Sequence, residues 1–149
     1  MVQIFQKLTH RITRYFRWLW RQRGTPGERA RGLALGVFAG CLPLFGFQTL
    51  LGLLLARLLR GNQLLAASGT WISNPVTYLP LYWFNYQAGC FLLGREMIFD
   101  DFAQFSWNNF WGHGLFVSSR LLIGSTFVGI CAGALSGCIV YTILRLFSR

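Results

Sequence analysis

Acid is scarce in this sequence: Asp and Glu supply four of 149 residues, and all charged residues together only 12%. A soluble globule of this size carries roughly 25% charge. There is too little here to cover a water-facing surface, which excludes an ordinary cytosolic domain, a disordered chain and an acidic binding module. Histidine is rarer still. His10 and His113 are the only two, leaving no Ser-His-Asp nucleophile and no His-Glu-x-x-His metal site. A glycine-rich phosphate loop with its lysine is also missing. Asp100 and Asp101 are adjacent, point apart on a helix and make poor acid–base partners. Cys41, Cys90, Cys131 and Cys138 lack Cys-x-x-Cys spacing and suit small apolar filling. No catalytic residue, metal or cofactor is expected, and the chain does not read as an enzyme.

What the sequence has in quantity is apolar: 54% hydrophobic and 17% aromatic residues, in one domain's length of chain. The three longest stretches without charge are 32–56 (25 residues), 61–94 (34) and 121–144 (24). A helix needs about 20 apolar residues to cross a bilayer at roughly 1.5 Å each. Stretch 121–144 is therefore one transmembrane helix. Stretch 61–94 is too long for one span and too short for two, and fits a half-helix plus a span. Both long stretches contain a break. The first has Gly40-Cys-Leu-Pro43-Leu-Phe-Gly46-Phe-Gln48-Thr49; the second has Gly69-Thr70-Trp71-Ile72-Ser73-Asn74-Pro75-Val76-Thr77. Asn caps free N–H groups and Pro lacks the N–H that would otherwise be orphaned, so Asn74-Pro75 is a helix-start signal. Non-helical backbone at membrane depth must be buried in protein or line a wet cavity. The segment 32–60 accordingly reads as a broken, re-entrant hairpin.

Charge placement tests that reading. If 32–56 dips in and returns, 12 of the 14 basic residues lie on one side; if it crosses, the division is 10 and 4. The positive-inside tendency favours the first and places both termini in the cytoplasm. Residues 102–119, rich in Trp and Asn, suit an interfacial segment. The arm up to Arg31 carries +7 of the net +10. Within 1–26 it reads as an amphipathic helix. Ile4, Phe5, Leu8, Ile12, Tyr15, Phe16 and Leu19 lie on one face, with Lys7, Arg11, Arg14, Arg17 and Arg21 opposite. Such a helix lies among anionic headgroups. An organelle transit peptide shares this composition. A nucleic-acid arm has no reason to spend a face on Phe, Leu and Ile, so no nucleic-acid partner is expected. Gly32, Gly36 and Gly40 form one small-residue stripe and Ser125, Gly129, Gly133 and Gly137 another, which bring helix backbones close within one chain or across a homo-oligomer.

The polar residues at the breaks are the candidate substrate pathway: Pro43, Gly46, Gln48, Thr49, Thr70, Ser73, Asn74, Pro75 and Thr77. Polar groups at membrane depth must be paired or hydrated, and so mark a pathway or merely satisfy freed backbone. Arg57 and Arg60 are candidates for a cytoplasmic mouth that attracts phosphate. These motifs, with Asn62 between them, resemble the small bacterial multi-pass membrane family called domain of unknown function 2062, over roughly residues 27–144. The resemblance implies an inner-membrane protein, and some relatives look fused to glycosyltransferase-like domains. It implies no activity and transfers no catalytic residue.

The expectation is an all-α integral membrane protein: a basic interfacial arm (1–26) and one membrane domain (27–149). Its expected function is transport or lipid flipping of a polar or phosphate-bearing substrate, as a homo-oligomer. The alternative is a non-catalytic scaffold anchoring a lipid- or glycan-modifying enzyme.

Overall fold

The computed structural model describes residues 24–44, 46–94 and 110–147. The arm with Lys7, Arg11, Arg14, Arg17 and Arg21, and residues 102–109 of the expected interfacial segment, lie outside the described residues. Those described are all helical, in five α-helices and one 3-10 turn. Helix α1 (Pro26–Cys41) begins six residues before the charge-free stretch does. Thr25 caps it: its hydroxyl accepts from the Glu28 amide (3.3 Å), and the Glu28 carboxylate accepts from the Thr25 amide (3.0 Å). With Pro26 in the first helical position this is a complete capping box. The helix stops because Leu42 precedes Pro43 and is forced extended, at φ −75° and ψ 140°.

The break closes through Gly46 at φ +85°, a value that favours glycine. Helix α2 (Gln48–Leu58) then returns antiparallel to α1, with Gly52 beside Gly36 and Ala39, and Gly61 beside Gly32. The chain reverses again where the Asn62 side chain accepts from the Leu65 amide at 3.0 Å. Helix α3 (Gln63–Gly69) climbs alongside α1 in register: Asn62 lies against Gly32, Ala66 against Gly36 and Thr70 against Gly40. The 3-10 turn Thr70–Ile72 ends it.

Asn74-Pro75 does not start the next helix directly. Asn74 holds a turn, its side-chain oxygen accepting from the amides of Val76 (3.0 Å) and Thr77 (3.1 Å), and helix α4 (Tyr78–Leu92) follows. At 15 residues, α4 is about 22 Å long, shorter than the ~30 Å of a bilayer's apolar core. The long second stretch thus divides at the expected place into two pieces, neither a full-length span.

Helix α5 (Phe110–Phe147) has 38 residues and runs unbroken through the expected boundary between 102–119 and 121–144. Arg120 therefore sits inside the helix instead of ending it, and is 2% exposed. The close approach of α4 explains this, for Gly89 lies directly on the Arg120 backbone and Gly124 on that of Asn85. The part Val117–Leu146 is long and apolar enough to cross a membrane, and only 22% of its most apolar window is buried. A core helix of a soluble protein would be mostly covered.

The two small-residue stripes do not meet each other. Gly32, Gly36 and Gly40 take α3, whereas Gly129, Gly133 and Gly137 take Ala30, Ala34 and Phe38 on another face of α1. Small side chains such as Ala39, Ala56 and Ala66 fill the interior, while Leu54, Leu79, Phe91, Ile130 and Leu135 face outward. This is the arrangement that packing in lipid favours, since large apolar groups gain nothing there by turning inward.

Candidate functional site

Both breaks arrive at one level of the fold. Cys41, which closes α1, lies against Gly129 near the middle of Val117–Leu146, and Thr70 at the end of α3 lies against Gly40. Below this level α1 packs on the C-terminal half of α5 and carries α2 and α3 on its other faces; above it α4 packs on the N-terminal half.

The residues expected at the breaks largely come together here, and most of their polar atoms are spent on freed backbone. The Thr70 hydroxyl donates to the Ala67 carbonyl (2.7 Å), so at the 3.2 Å contact between Thr49 and Thr70 it is Thr49 that donates. Ser73, buried, donates to the Thr70 carbonyl at 3.1 Å. The Thr77 hydroxyl donates to Ile72 (2.6 Å) and accepts from the Asn74 amide (2.9 Å). Pro43 and Gly46 shape the first break, and Pro75 is exposed in the second.

Gln48 is different. It is the first residue of α2 and 6% exposed, and its amide nitrogen donates to the Ser73 carbonyl (3.5 Å) and the Tyr78 hydroxyl (3.4 Å). One side chain thereby ties both breaks to the start of α4. Its carbonyl oxygen, Oε1, is buried without a hydrogen-bond partner.

A second buried amide lies further along α4 and is absent from the residues singled out in the sequence. Asn85 is fully buried, and its Nδ2 donates to the Cys41 carbonyl (2.9 Å) and to Ser125 Oγ (3.0 Å). Its Oδ1 also lacks a partner. The available signal was Tyr78, Tyr82, Asn85 and Tyr86, which share one face of α4 at helical spacing. The rings of Tyr78 and Tyr82 stack with centroids 5.5 Å apart. Tyr86 lies beside Arg120 and Cys90.

Arg57 and Arg60 are not part of this cluster. They sit at the opposite end of α2, where an Arg31 guanidinium nitrogen donates to the Arg60 carbonyl at 3.4 Å. Arg29 at the start of α1 and Arg145 at the end of α5 belong to the same end of the molecule. Of the described charged residues, Arg120 alone lies toward the other end.

The cluster holds no acid and no histidine, and among the described residues no group of three or more His, Cys, Asp or Glu comes together. What it offers chemically is hydrogen bonding within apolar surroundings. Residues 9–149 match a family described as an uncharacterized protein conserved in bacteria, domain of unknown function 2062. No curated protein and no solved structure matches the chain.

Proposed function

Because the chain belongs to this bacterial family, whose activity is unknown, we propose its function from its own residues: it is a multi-pass inner-membrane protein that moves a polar substrate through the level where its broken helices meet. The carrying observation is that two Pro/Gly breaks and two buried amides share one level, near the midpoint of the one helix among the described residues that is long and apolar enough to span. Broken helices around a midplane site are a recurrent transporter device. In this reading α1 and α2 form a re-entrant hairpin, and α3 and α4 continue across. The arginine end, with Arg57 and Arg60 at its mouth, faces the cytoplasm. The unmatched apolar exterior is covered by lipid and by further copies of the chain, anionic headgroups meet the basic arm, and no enzymatic step is involved.

Single cysteines in a background without the four native ones test the topology. Gly27→Cys, where a side chain meets open space, and Leu59→Cys, which is exposed, report the two ends of the hairpin. Both are expected to react with a membrane-impermeant thiol reagent from the same side. Labelling from opposite faces would mean that 32–56 crosses outright, and the re-entrant pathway would be lost. For transport itself, Gln48→Ala should abolish substrate movement in proteoliposomes without loss of insertion. The alternative of a non-transporting scaffold for a lipid-modifying enzyme draws on the arginine end and would gain from a variant of unchanged activity.

A further inference from the structure

The orientation of both buried amides is fixed by what their nitrogens touch. Gln48 Nε2 faces the carbonyl of Ser73 and Asn85 Nδ2 faces the carbonyl of Cys41. A carbonyl oxygen only accepts, so in each case the NH2 end must point there. The atoms left over are therefore the two side-chain carbonyl oxygens, Gln48 Oε1 and Asn85 Oδ1, in residues 6% and 0% exposed. A buried acceptor without a partner has lost its hydration with nothing in return, and a fold seldom keeps two such atoms unfilled. Gln48 bonds Tyr78, the first residue of α4, and Asn85 lies seven residues on. That is about 10 Å along the helix, with Tyr82 on the same face between them. The two amides also flank one break, since Cys41 ends α1 and Gln48 begins α2.

We infer that Gln48 Oε1 and Asn85 Oδ1 form a binding site for neutral hydroxyl groups, either water or the hydroxyls of a small polyol. Two buried acceptors select a donor. A phosphate oxygen brought against them would meet like partial charge, so the phosphate-bearing class of substrate is refused at this level. A compact ammonium group has the donors but would leave most of its hydration for only two carbonyl oxygens and no counter-charged carboxylate among the described residues near them. The inference deepens the transport reading and rests on it for the site's depth in the bilayer. The hydrogen-bond chemistry rests on the two amides alone.

The test is water-edited solid-state NMR on the full-length wild-type protein in liposomes, isotope-labelled at Gln, Asn and Ala. Magnetisation transferred from water should reach the Gln48 and Asn85 side-chain carbonyl carbons about fivefold faster than the methyls of Ala39 and Ala66, as befits bound water in a polar site. Those alanines are 0% exposed and serve as the dry reference. Titration with glycerol separates the sources: a saturable shift of both carbonyl signals identifies a polyol hydroxyl as the occupant, and fast transfer without that shift identifies water. Inorganic phosphate should shift neither signal. Transfer as slow as in the alanines, or a saturable phosphate shift, would overturn the inference. A Gln48→Met variant keeps the side chain's length but removes the acceptor. It should slow transfer at Asn85 as well, and unchanged transfer there would overturn the shared site. Because these signals report occupancy and not movement, a flat flux assay would defeat the transport reading and leave this one standing.

Discussion

Along its C-terminal half, α5 meets Ala30, Ala34 and Phe38 of α1 through Gly129, Gly133 and Gly137, with α2 and α3 closing on the other faces of α1; along its N-terminal half it meets α4 through Gly124, Ser125 and Arg120. The first contact sets glycines of α5 closely against Ala30, Ala34 and Phe38 of α1. The second is held by a polar pair, Asn85 with Ser125. Without a hydrophobic force between helices in lipid, close packing and interhelical hydrogen bonds are the two adhesives available. This chain uses one at each end. The consequence is mechanical. A helix enclosed on three sides has nowhere to move when a side chain grows, whereas the α4–α5 pair can shift apart.

The largest effect should come from Gly36→Ala, whose Cβ would run into the Ala66 backbone. It is expected to lower stability by about 3 kcal/mol, read as thermal unfolding in detergent. Gly124→Ala meets the Asn85 backbone just as closely, but should cost only about 1 kcal/mol because α4 yields. Equal losses would erase the distinction between the halves. Next, Asn85→Leu should cost about 1–2 kcal/mol by leaving Ser125 and the Cys41 carbonyl without their donor. A double-mutant cycle with Ser125→Ala should return a coupling of about 0.5–1.5 kcal/mol. A coupling near zero would mean the upper half is not held by its polar pair. The smallest effect belongs to Thr25→Ala. It removes the α1 cap for about 1 kcal/mol or less. Faster amide exchange should be confined to residues 27–29, with α4 and the N-terminal half of α5 unchanged.

Much of this division is readable from residues that interrupt. Pro43 with Gly46, and Asn74 with Pro75, mark where backbone geometry must change, and the helices end or begin within a few residues of them. The long C-terminal helix is readable from its apolar length. Gln48, Thr49, Thr70 and Ser73 are conspicuous as polar residues at those interruptions, and they are neighbours in the fold. What is not readable depends on partners distant in the chain. Thr25-Pro-Gly-Glu28 contains a full capping box, yet the Gly and Pro around it look equally like a turn. Arg120 looks like an end to α5 because a charge usually stays out of lipid; only the approach of Gly89 shows how it is covered. Asn85 is one amide in a helix, and its weight comes from Cys41 and Ser125, 44 and 40 residues away. Arg57 and Arg60 are near Gln48 in sequence, but the length of α2 carries them to the other end.

The Asn85 bond to Cys41 has one more consequence. The last carbonyls of a helix lack the amides that would continue the ladder, and here the end of α1 is closed by a side chain from α4. A column that α5 builds as one continuous rod is built alongside it as two pieces with a splint across the joint. Bending or stretching a continuous rod strains every rung, whereas a splinted joint concentrates the deformation at one place. Under load, α5 therefore resists along its whole length, and the column beside it yields first at Asn85.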